Sequence, residues 1–476
     1  MLRTTSRWLA LALGAALSSA HPSAQAADGA LDPTYGSGGA AYLALDGIEG
    51  QIAAAFAAAP QTDGKLVVAG MRNWIDPQRP FDPHMRAVVA RFDANGAVDA
   101  PFGGRKDIPG LVVLPDVVPG TQQQIAQAVA VLVDGSIVVA GRADAFGPRH
   151  GFLAKLAPDG SLDQSFGARG IVLVPGVEFW SLAMDSQQRL VVGGHRTGSQ
   201  PLWQGLVARF LPDGSLDASF AGDGIAELVD ADPEQLGYVY RVAVMPDDRI
   251  VAAGEAGLSD PALPGNYLYD FSLARLQPDG TLDASFADGG RLISGIPGAD
   301  TAIDGIDAMV LERSGAIGFA GHFDAGKGGN NQLKSVLGRV TAEGKFDAAF
   351  GDPATPGVRR FEAVGGALNE HASGLVRQSD GKWLLTVRYE LPDGDRDLVS
   401  LRFDASGAED PSYGLAGRSA IDLAHGGVYD DANALVLVGG RPLLAGASMQ
   451  STAVGLTDLS VARLDSDLIY ADRFED

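Results

Sequence analysis

Short apolar runs separated by turn residues recur along the whole chain. The clearest copy is Leu206 to Phe220, where an apolar run ends at a basic residue and is followed by Pro-Asp-Gly, Leu-Asp and an aromatic residue. Windows with apolar residues at helical spacing are scarce, because glycine or proline interrupts them. Apolar runs of this length between turn signals are typical of β-strands. The pattern therefore predicts an all-β chain.

Seven copies of this phrase give the chain its period. In each copy the basic residue is followed eleven positions later by an aromatic residue, and the basic residues are Arg91, Lys155, Arg209, Arg275, Arg339, Arg402 and Arg463. Their mean spacing is 62 residues, because Arg91 and Arg463 are 372 positions and six steps apart. Periods of this order in β-rich chains are typical of propellers or arrays.

Each unit contains four strand-sized pieces. An Asp-Gly turn follows the second piece, as at Asp63-Gly64, and predicts a tight hairpin. The third piece is the most apolar and usually ends in glycine, as in Leu66 to Gly70. Near-continuous apolar character indicates a strand that is buried on both faces.

These units predict a seven-bladed β-propeller of four-stranded antiparallel blades over residues 27–466, since a ring leaves no long strand edge exposed. A linear β-solenoid is the alternative, and it predicts shorter, stricter repeats with polar caps. The chain opens with a half-copy, Asp32 to Tyr35, and ends in the same phrase, with Phe474 in the aromatic position. We therefore expect the two ends to meet between the last and first blades, with residues 467–476 as a closing turn or tail.

The first 26 residues have the pattern of a secretory signal peptide. Arg3 and Arg7 flank the start of an apolar run, Trp8 to Leu17, and Ala24-Gln25-Ala26 is a small-residue cleavage site. No later stretch is apolar over the roughly 18 residues that span a bilayer. We expect an exported protein without a transmembrane segment, whether secreted, periplasmic or held at the cell surface.

The amino-acid composition of the chain excludes several kinds of site and disfavours several kinds of partner. The chain has no cysteine, which excludes disulfides, thiolate metal sites and cysteine nucleophiles. Its formal net charge of -23 disfavours nucleic acid and anionic membranes as partners, because both require clustered Lys and Arg. We expect a monomer whose partner is an unidentified protein or glycan.

The repeated phrase resembles that of the bacterial delta-60 repeat family. The matching segments are Leu153 to Gly167, Leu273 to Phe286 and Gln61 to Gly70. Three copies place Ala-Asn-Gly, Ala-Glu-Gly or Ala-Ser-Gly where the family has Pro-Asp-Gly, and each keeps the turn glycine. The resemblance implies a propeller-like fold in an exported bacterial protein. It implies no catalytic residue and no defined substrate.

One aspartate recurs three positions before the aromatic residue of each phrase. The set is Asp32, Asp99, Asp163, Asp217, Asp283, Asp347 and Asp410. Seven carboxylates could ligate cations, but aspartate also accepts backbone N–H bonds in turns, and the basic residue eight positions earlier could pair with it. Because the residue is identical in every repeat, we predict a structural role.

The position directly after the third piece varies instead. It holds Met71, Arg142, His195, Glu255, His322, Arg388 and Ala447. In a propeller these residues share one face with the variable connections, and variable loops on a rigid scaffold often carry binding sites. Arg142, His195, Glu255, His322 and Arg388 are therefore the candidate ligand-binding residues.

Other candidate chemistry is sparse. Asp393, Asp395 and Asp397 alternate near a hairpin tip and could bind calcium through hard oxygen ligands, although Arg396 interrupts the run. We expect no other cofactor. Nucleophile-elbow, His-Glu-x-x-His and phosphate-loop motifs do not occur, so no catalytic residue is assigned. Trp180 and Tyr240, near second pieces, are expected in the core.

Three functional hypotheses follow. The first is a non-enzymatic exported propeller that presents variable loops on one face to a protein or glycan. The second is a hydrolase or lyase acting on an extracellular polymer in the axial depression, with His195, Glu255 and His322 at its site. The third is a purely structural envelope protein.

Overall fold

The structure, a computed structural model, consists of antiparallel β-sheets joined by turns. It describes residues 28–43, 52–75, 83–104, 108–144, 149–198, 204–228, 236–259, 267–297, 304–325, 332–392, 396–423, 430–449 and 457–465. The predicted signal peptide, residues 1–26, and the predicted tail, residues 467–476, lie outside these ranges and stay predictions. Within the described residues, no helix has the length and apolar character needed to cross a bilayer.

Thirty strands are described. In chain order they are β1 (Ala40–Leu43), β2 (Ala53–Pro60), β3 (Leu66–Ile75), β4 (Pro83–Phe92), β5 (Leu111–Val113), β6 (Gln123–Val131), β7 (Ile137–Asp144), β8 (His150–Leu156), β9 (Ile171–Pro175), β10 (Val177–Met184), β11 (Leu190–Arg196), β12 (Gln204–Phe210), β13 (Ile225–Glu227), β14 (Leu236–Val244), β15 (Ile250–Ser259), β16 (Tyr267–Leu276), β17 (Arg291–Ser294), β18 (Asp304–Leu311), β19 (Ile317–Asp324), β20 (Leu333–Val340), β21 (Gly351–Asp352), β22 (Thr355–Pro356), β23 (Val358–Phe361), β24 (Asn369–Arg377), β25 (Trp383–Glu390), β26 (Arg396–Phe403), β27 (Arg418–Ile421), β28 (Asp430–Val438), β29 (Arg441–Ser448) and β30 (Asp458–Arg463).

Five four-stranded sheets form the blades of the propeller. Their strand orders are β10-β11-β12-β13, β14-β15-β16-β17, β18-β19-β20-β23, β24-β25-β26-β27 and β1-β30-β29-β28. Strands β21 and β22 form a small separate hairpin. The third piece of each sequence repeat is the second strand of its blade. This apolar strand pairs on both sides and is almost wholly buried, as the uninterrupted apolar runs predict.

The predicted count of seven separate four-stranded blades is wrong. The structure has five four-stranded blades, and strands β2 to β9 form one eight-stranded sheet. The link is a parallel pair between Met85 of β4 and Gln123 of β6, and the Met85 N–H donates to the Gln122 carbonyl at 2.8 Å. Met85 lies near the start of β4, and Gln123 is the first residue of β6, so the link joins the ends of the two strands.

The two ends of the described chain share one sheet, instead of meeting between two blades. Strand β1 pairs with β30, with Ala40 opposite Ala462. The first strands of the sheets pack around a common axis in the order β2, β6, β10, β14, β18, β24 and β28, and β28 also contacts β2. The N-terminal strand therefore completes the last sheet and closes the ring.

The recurring aspartates hold the outer turns. Each accepts an ion pair from the basic residue of its phrase, as in Arg275 Nε to Asp283 Oδ2 at 2.7 Å, and Lys155 takes the arginine's place opposite Asp163. In six of the seven, the other Oδ atom accepts the N–H of the residue two positions on, for example Ser285 at 3.1 Å; after Asp99 that residue is Pro101, which has no N–H. The Arg275 guanidinium lies 4.8 Å from the Phe286 ring centroid, a cation–π contact.

The closing sheet uses the same arrangement across the chain ends. Arg463 near the C-terminus pairs with Asp32 at 2.8 Å and lies 4.7 Å from the Tyr35 ring centroid. The opening half-copy therefore supplies the aspartate and the aromatic residue of the last repeat. Phe474, which the sequence placed in this aromatic position, lies outside the described residues.

Candidate axial site

A β-bulge on each first strand directs one side chain towards the axis. Backbone pairing skips one residue in β2, β6, β10, β14, β18, β24 and β28, and a bulge of this kind re-aims the side chain of the unpaired residue. The skipped residues are Phe56, Gln127, Trp180, Tyr240, Asp307, Ser373 and Asn433. All of them line one cavity of about 570 Å³ at the centre of the ring. The same β-bulge is therefore repeated in all seven first strands, but the side chain that it directs towards the axis differs from one strand to the next.

The glycine that ended the third piece of most repeats in the sequence lies within the second strand of each blade, where it makes room for the bulge. A Cβ on Gly321 would lie 1.8 Å from the carbonyl oxygen of Gly305, two residues before the bulge residue Asp307. A Cβ added at the equivalent glycine of five other sheets or repeats would lie 1.8 to 2.0 Å from the equivalent carbonyl oxygen; these glycines are Gly70, Gly141, Gly194, Gly254 and Gly446. The recurring glycine therefore serves the axial site as well as the fold.

Four of the five predicted ligand-binding residues line this cavity. They are Arg142, Glu255, His322 and Arg388. His195 is only 2 % exposed and lies behind Trp180, with the two ring centroids 6.2 Å apart. The axial arrangement thus brings together residues from four different sheets, and it leaves His195 beneath the surface of the cavity.

An acid–base cluster forms one side of the cavity. The Asp307 carboxylate Oδ2 lies 2.9 Å from His322 Nδ1, and His322 Nε2 lies 3.7 Å from Glu255 Oε1. The Tyr240 hydroxyl donates to Glu255 Oε2 at 3.4 Å. The cluster combines two carboxylates, an imidazole and a phenol within direct reach of one another.

Burial and neighbouring charges move the pKa values of this cluster. Burial raises the pKa of Glu255 to about 7, although the His322 charge opposes the shift. Burial lowers the pKa of His322, but the charge and hydrogen bond of Asp307, with the charge of Glu255, outweigh it and raise the pKa to about 9. The two carboxylates therefore favour the protonated form of His322.

A second imidazole faces the same corner. The His371 ring centroid lies 5.2 Å from that of His322, with 61° between the ring planes. Burial lowers the pKa of His371 to about 4, so this ring is neutral at pH 7. Beside it, Arg388 reaches Asp431 at 3.5 Å and the Asn433 side-chain oxygen at 3.3 Å.

Aromatic and cationic groups form the remaining wall. Trp180 and Tyr240 meet edge to face at 5.8 Å, and the Arg142 guanidinium lies 5.7 Å from the Trp180 ring. Arg142 also pairs at 3.5 Å with Glu178, which is 1 % exposed. Trp180 and Tyr240 were expected in the core; the bulges place them at the cavity instead.

The sequence interpretation missed Asp307, His371 and Arg241. They lie on or beside the bulges of first strands, where small apolar residues suggest core. A signal was present, because six of the seven bulge residues lie eight positions before the turn residue with positive φ, as Asp307 does before Gly315 and Tyr240 before Asp248. Counting back from each turn would have aligned the axial residues.

The predicted calcium ligands fall near the limits of the described chain. Asp393 and Asp395 lie outside the described residues, and Asp397 belongs to β26, where its backbone pairs with Tyr389. The calcium site therefore stays a prediction.

Comparison with known proteins supports the fold. Residues 61–102, 134–166, 189–220 and 246–286 match a family described as "Domain of unknown function (DUF5122) beta-propeller". No curated protein matches the chain.

Solved structures of varied function are similar to this chain at low identity. A protein of unknown function from Dyadobacter fermentans is 13% identical, with 91% of this chain and 100% of that chain covered and a TM-score of 0.43. The polysaccharide lyase Uly1 is 11% identical, with 94% of each chain covered and a TM-score of 0.45. The β-propeller domain of the Trilobed protease from Pyrococcus furiosus is 10% identical, with 89% and 98% covered and a TM-score of 0.40. With the sheet topology and the family match together, this chain is a β-propeller repeat protein.

Proposed function

We propose that this protein binds an anionic, sugar-sized ligand in its axial cavity. The observation that carries the proposal is Arg241, which lines the cavity. Its Nη1 donates to the Tyr240 carbonyl at 2.8 Å, and within the described chain no carboxylate forms an ion pair with it. Burial lowers the pKa of Arg241, although the charge of Asp307 opposes the shift. Arg241 is partly buried at the cavity wall, and a guanidinium in that position without a paired carboxylate favours a ligand that carries a negative charge.

The aromatic wall favours a ligand with a flat, partly apolar face. Phe56, Trp180 and Tyr240 line the cavity together with the polar groups. Aromatic rings present apolar faces, and Tyr and Trp add a polar edge. A volume of about 570 Å³ is within the usual range for small-ligand sites. A saccharide ring with a carboxylate combines the apolar face, the hydroxyls and the charge that these groups would bind.

This proposal moves the binding site from the loop surface to the axis. Residues at strand ends and bulges are held by the sheets, so their positions are set by backbone pairing. We retain, on sequence grounds, the proposals that the repeats are of the delta-60 type and that the chain is exported. An extracellular or periplasmic glycan is then the natural source of an acidic saccharide.

The test compares acidic with neutral oligosaccharides. Glucuronate and glucose tetrasaccharides are titrated into metal-free protein by calorimetry, with Arg241→Gln as the test variant and the exposed Arg313→Gln as its matched control. We expect binding of the acidic probe only, and at least about a tenfold loss in Arg241→Gln, since a hydrogen bond to a charged group contributes about 1.5–3 kcal/mol. Equal binding of the neutral probe, equal loss in the control, or no saturable binding would contradict the proposal; the last result fits the structural-protein alternative.

The hydrolase or lyase hypothesis is the second candidate, and the Glu255–His322 pair favours it. Both side chains line the cavity, 3.7 Å apart, so a bound saccharide could contact both as proton donor and acceptor. Glu255→Gln should then abolish cleavage of an acidic polymer while leaving binding intact. Product release that persists unchanged in Glu255→Gln would exclude Glu255 from catalysis.

A further inference from the structure

One corner of the axial cavity has the donor set of a transition-metal site. Asp307, His322 and His371 each offer one ligand atom, and the three atoms all lie within 4.8 Å of one another. Asp307 is the bulge residue of β18, His322 lies on β19 of the same sheet, and His371 lies on β24 of the next sheet. Three strands from two neighbouring sheets therefore converge on one point.

The three ligand atoms lie within 4.8 Å of one another, so an approach of about 1.5 Å or less brings them to the spacing of a four-coordinate ion. Metal–nitrogen and metal–oxygen bonds of about 2.0–2.2 Å place neighbouring tetrahedral ligands roughly 3.3 Å apart. The Asp307 Oδ2 to His322 Nδ1 separation is 2.9 Å, so an ion that binds between these atoms displaces the proton of their hydrogen bond to solvent and requires a shift of a few tenths of an ångström. The two imidazole planes are inclined at 61°, which keeps the rings from stacking face to face.

The His371 ring is available as a ligand. Among the described residues none forms a hydrogen bond with its ring nitrogens, and the side chain lines the cavity. The adjacent guanidinium of Arg388 is directed to Asp431 and Asn433. Its charge is therefore partly balanced by Asp431.

We propose that Asp307, His322 and His371 bind one divalent first-row transition ion, with Zn²⁺ as the reference ion. Two imidazoles and one carboxylate suit zinc and its neighbours, whereas calcium and magnesium select oxygen ligands. Three protein ligands leave a coordination position open to the cavity, which is the pattern of zinc sites that hold water or a ligand. This proposal goes beyond the binding of an anionic saccharide and does not depend on it.

Zinc titration of the purified protein tests the site. The protein, without a histidine tag and stripped with a chelator, is titrated with Zn²⁺ by calorimetry, and bound metal is counted after dialysis. The variants are Asp307→Asn and His371→Ala, with His150→Ala at the start of β8 as the control. Far-UV circular dichroism checks the fold of each variant.

We expect one Zn²⁺ per wild-type chain and no competing uptake of Ca²⁺ at the same concentration. Asp307→Asn and His371→Ala should each lose more than about 100-fold in affinity, above the 10–100-fold that removal of an outer partner costs. His150→Ala should bind as the wild type does. Absence of stoichiometric Zn²⁺ uptake, or an equal loss in folded His150→Ala, would overturn the proposal and leave Asp307 and His322 as a hydrogen-bonded pair. Binding of the acidic saccharide is measured without metal, so the two proposals fail separately.

Discussion

Replacing Asp283 by asparagine should destabilise the protein far more than the same change at Asp163. The two residues occupy the same place in two repeats of the chain, but their surroundings differ. Asp283 is 2 % exposed and accepts from Arg275 at 2.7 Å and Arg249 at 3.0 Å. Asp163 pairs with Lys155 at 3.2 Å, and its side chain is 25% exposed.

The magnitudes follow from what each substitution leaves behind. Asp283→Asn leaves the Arg275 guanidinium, 4% exposed, without its carboxylate, and breaking a buried pair costs about 3–5 kcal/mol. The cation–π contact of Arg275 with Phe286 survives, so we expect the lower end, about 3 kcal/mol. Asp163→Asn removes a partly exposed pair that contributes about 0–1 kcal/mol, and its amide oxygen can still accept the Ser165 N–H.

Urea unfolding followed by tryptophan fluorescence and circular dichroism measures both variants. The free energy of unfolding is taken from linear extrapolation, after checking that the two probes give one transition. We expect a difference of about 2–3 kcal/mol between Asp283→Asn and Asp163→Asn. Equal destabilisation would show that the aspartate's turn hydrogen bonds, which both positions share, outweigh the ion pair.

Other predictions follow from the same contacts. Burial raises the pKa of Asp283, but hydrogen bonds from Ser285, Arg249 and Arg275 outweigh burial and hold the pKa below its usual value. The contribution of Asp283 to the free energy of unfolding is therefore complete above the unfolded pKa and is lost as pH falls towards the folded pKa. The urea midpoint should fall as the pH is lowered from about 5 to about 2, and it should fall less steeply in Asp283→Asn. An equal slope in the variant would refute this. Gly321→Ala should cost more than about 1 kcal/mol and weaken zinc binding, since its Cβ would meet the Gly305 carbonyl at 1.8 Å; the control Gly365→Ala, which meets nothing within 4 Å, should change neither urea midpoint nor zinc affinity. If zinc binding is lost in Gly365→Ala, or is unchanged in Gly321→Ala, the bulge does not position the zinc ligands.

Much of the fold could be predicted from the sequence because its signals are local. The turn glycines Gly64, Gly135 and Gly381 adopt positive φ, as Asp-Gly hairpins require. The apolar second strands are buried on both faces, as their composition indicates. The predicted number of separate blades was wrong because one backbone pair, Met85 with Gln123, joins two repeats into a single sheet, and the period does not encode a contact between repeats.

The candidate site was only half visible in the sequence. Glu255 and His322 stand out because a charged or titratable residue directly follows an apolar strand. Asp307 and His371 do not stand out in the sequence. Alternation along a first strand predicts on which face of the sheet each side chain lies, but it does not predict where a bulge reverses that order. His195 shares the sequence position of His322 yet lies behind Trp180, because bulky aromatic residues cover the cavity wall of its sheet.

The most direct measurement is a crystal structure of the protein soaked with a glucuronate tetrasaccharide. The account predicts saccharide density in the axial cavity, with a carboxylate about 2.7–3.2 Å from the Arg241 guanidinium and a sugar face against Trp180 or Tyr240. A saccharide ordered only on the outer turns or the loop surface, with none in the axial cavity, would contradict the claim that the bulges build the binding site.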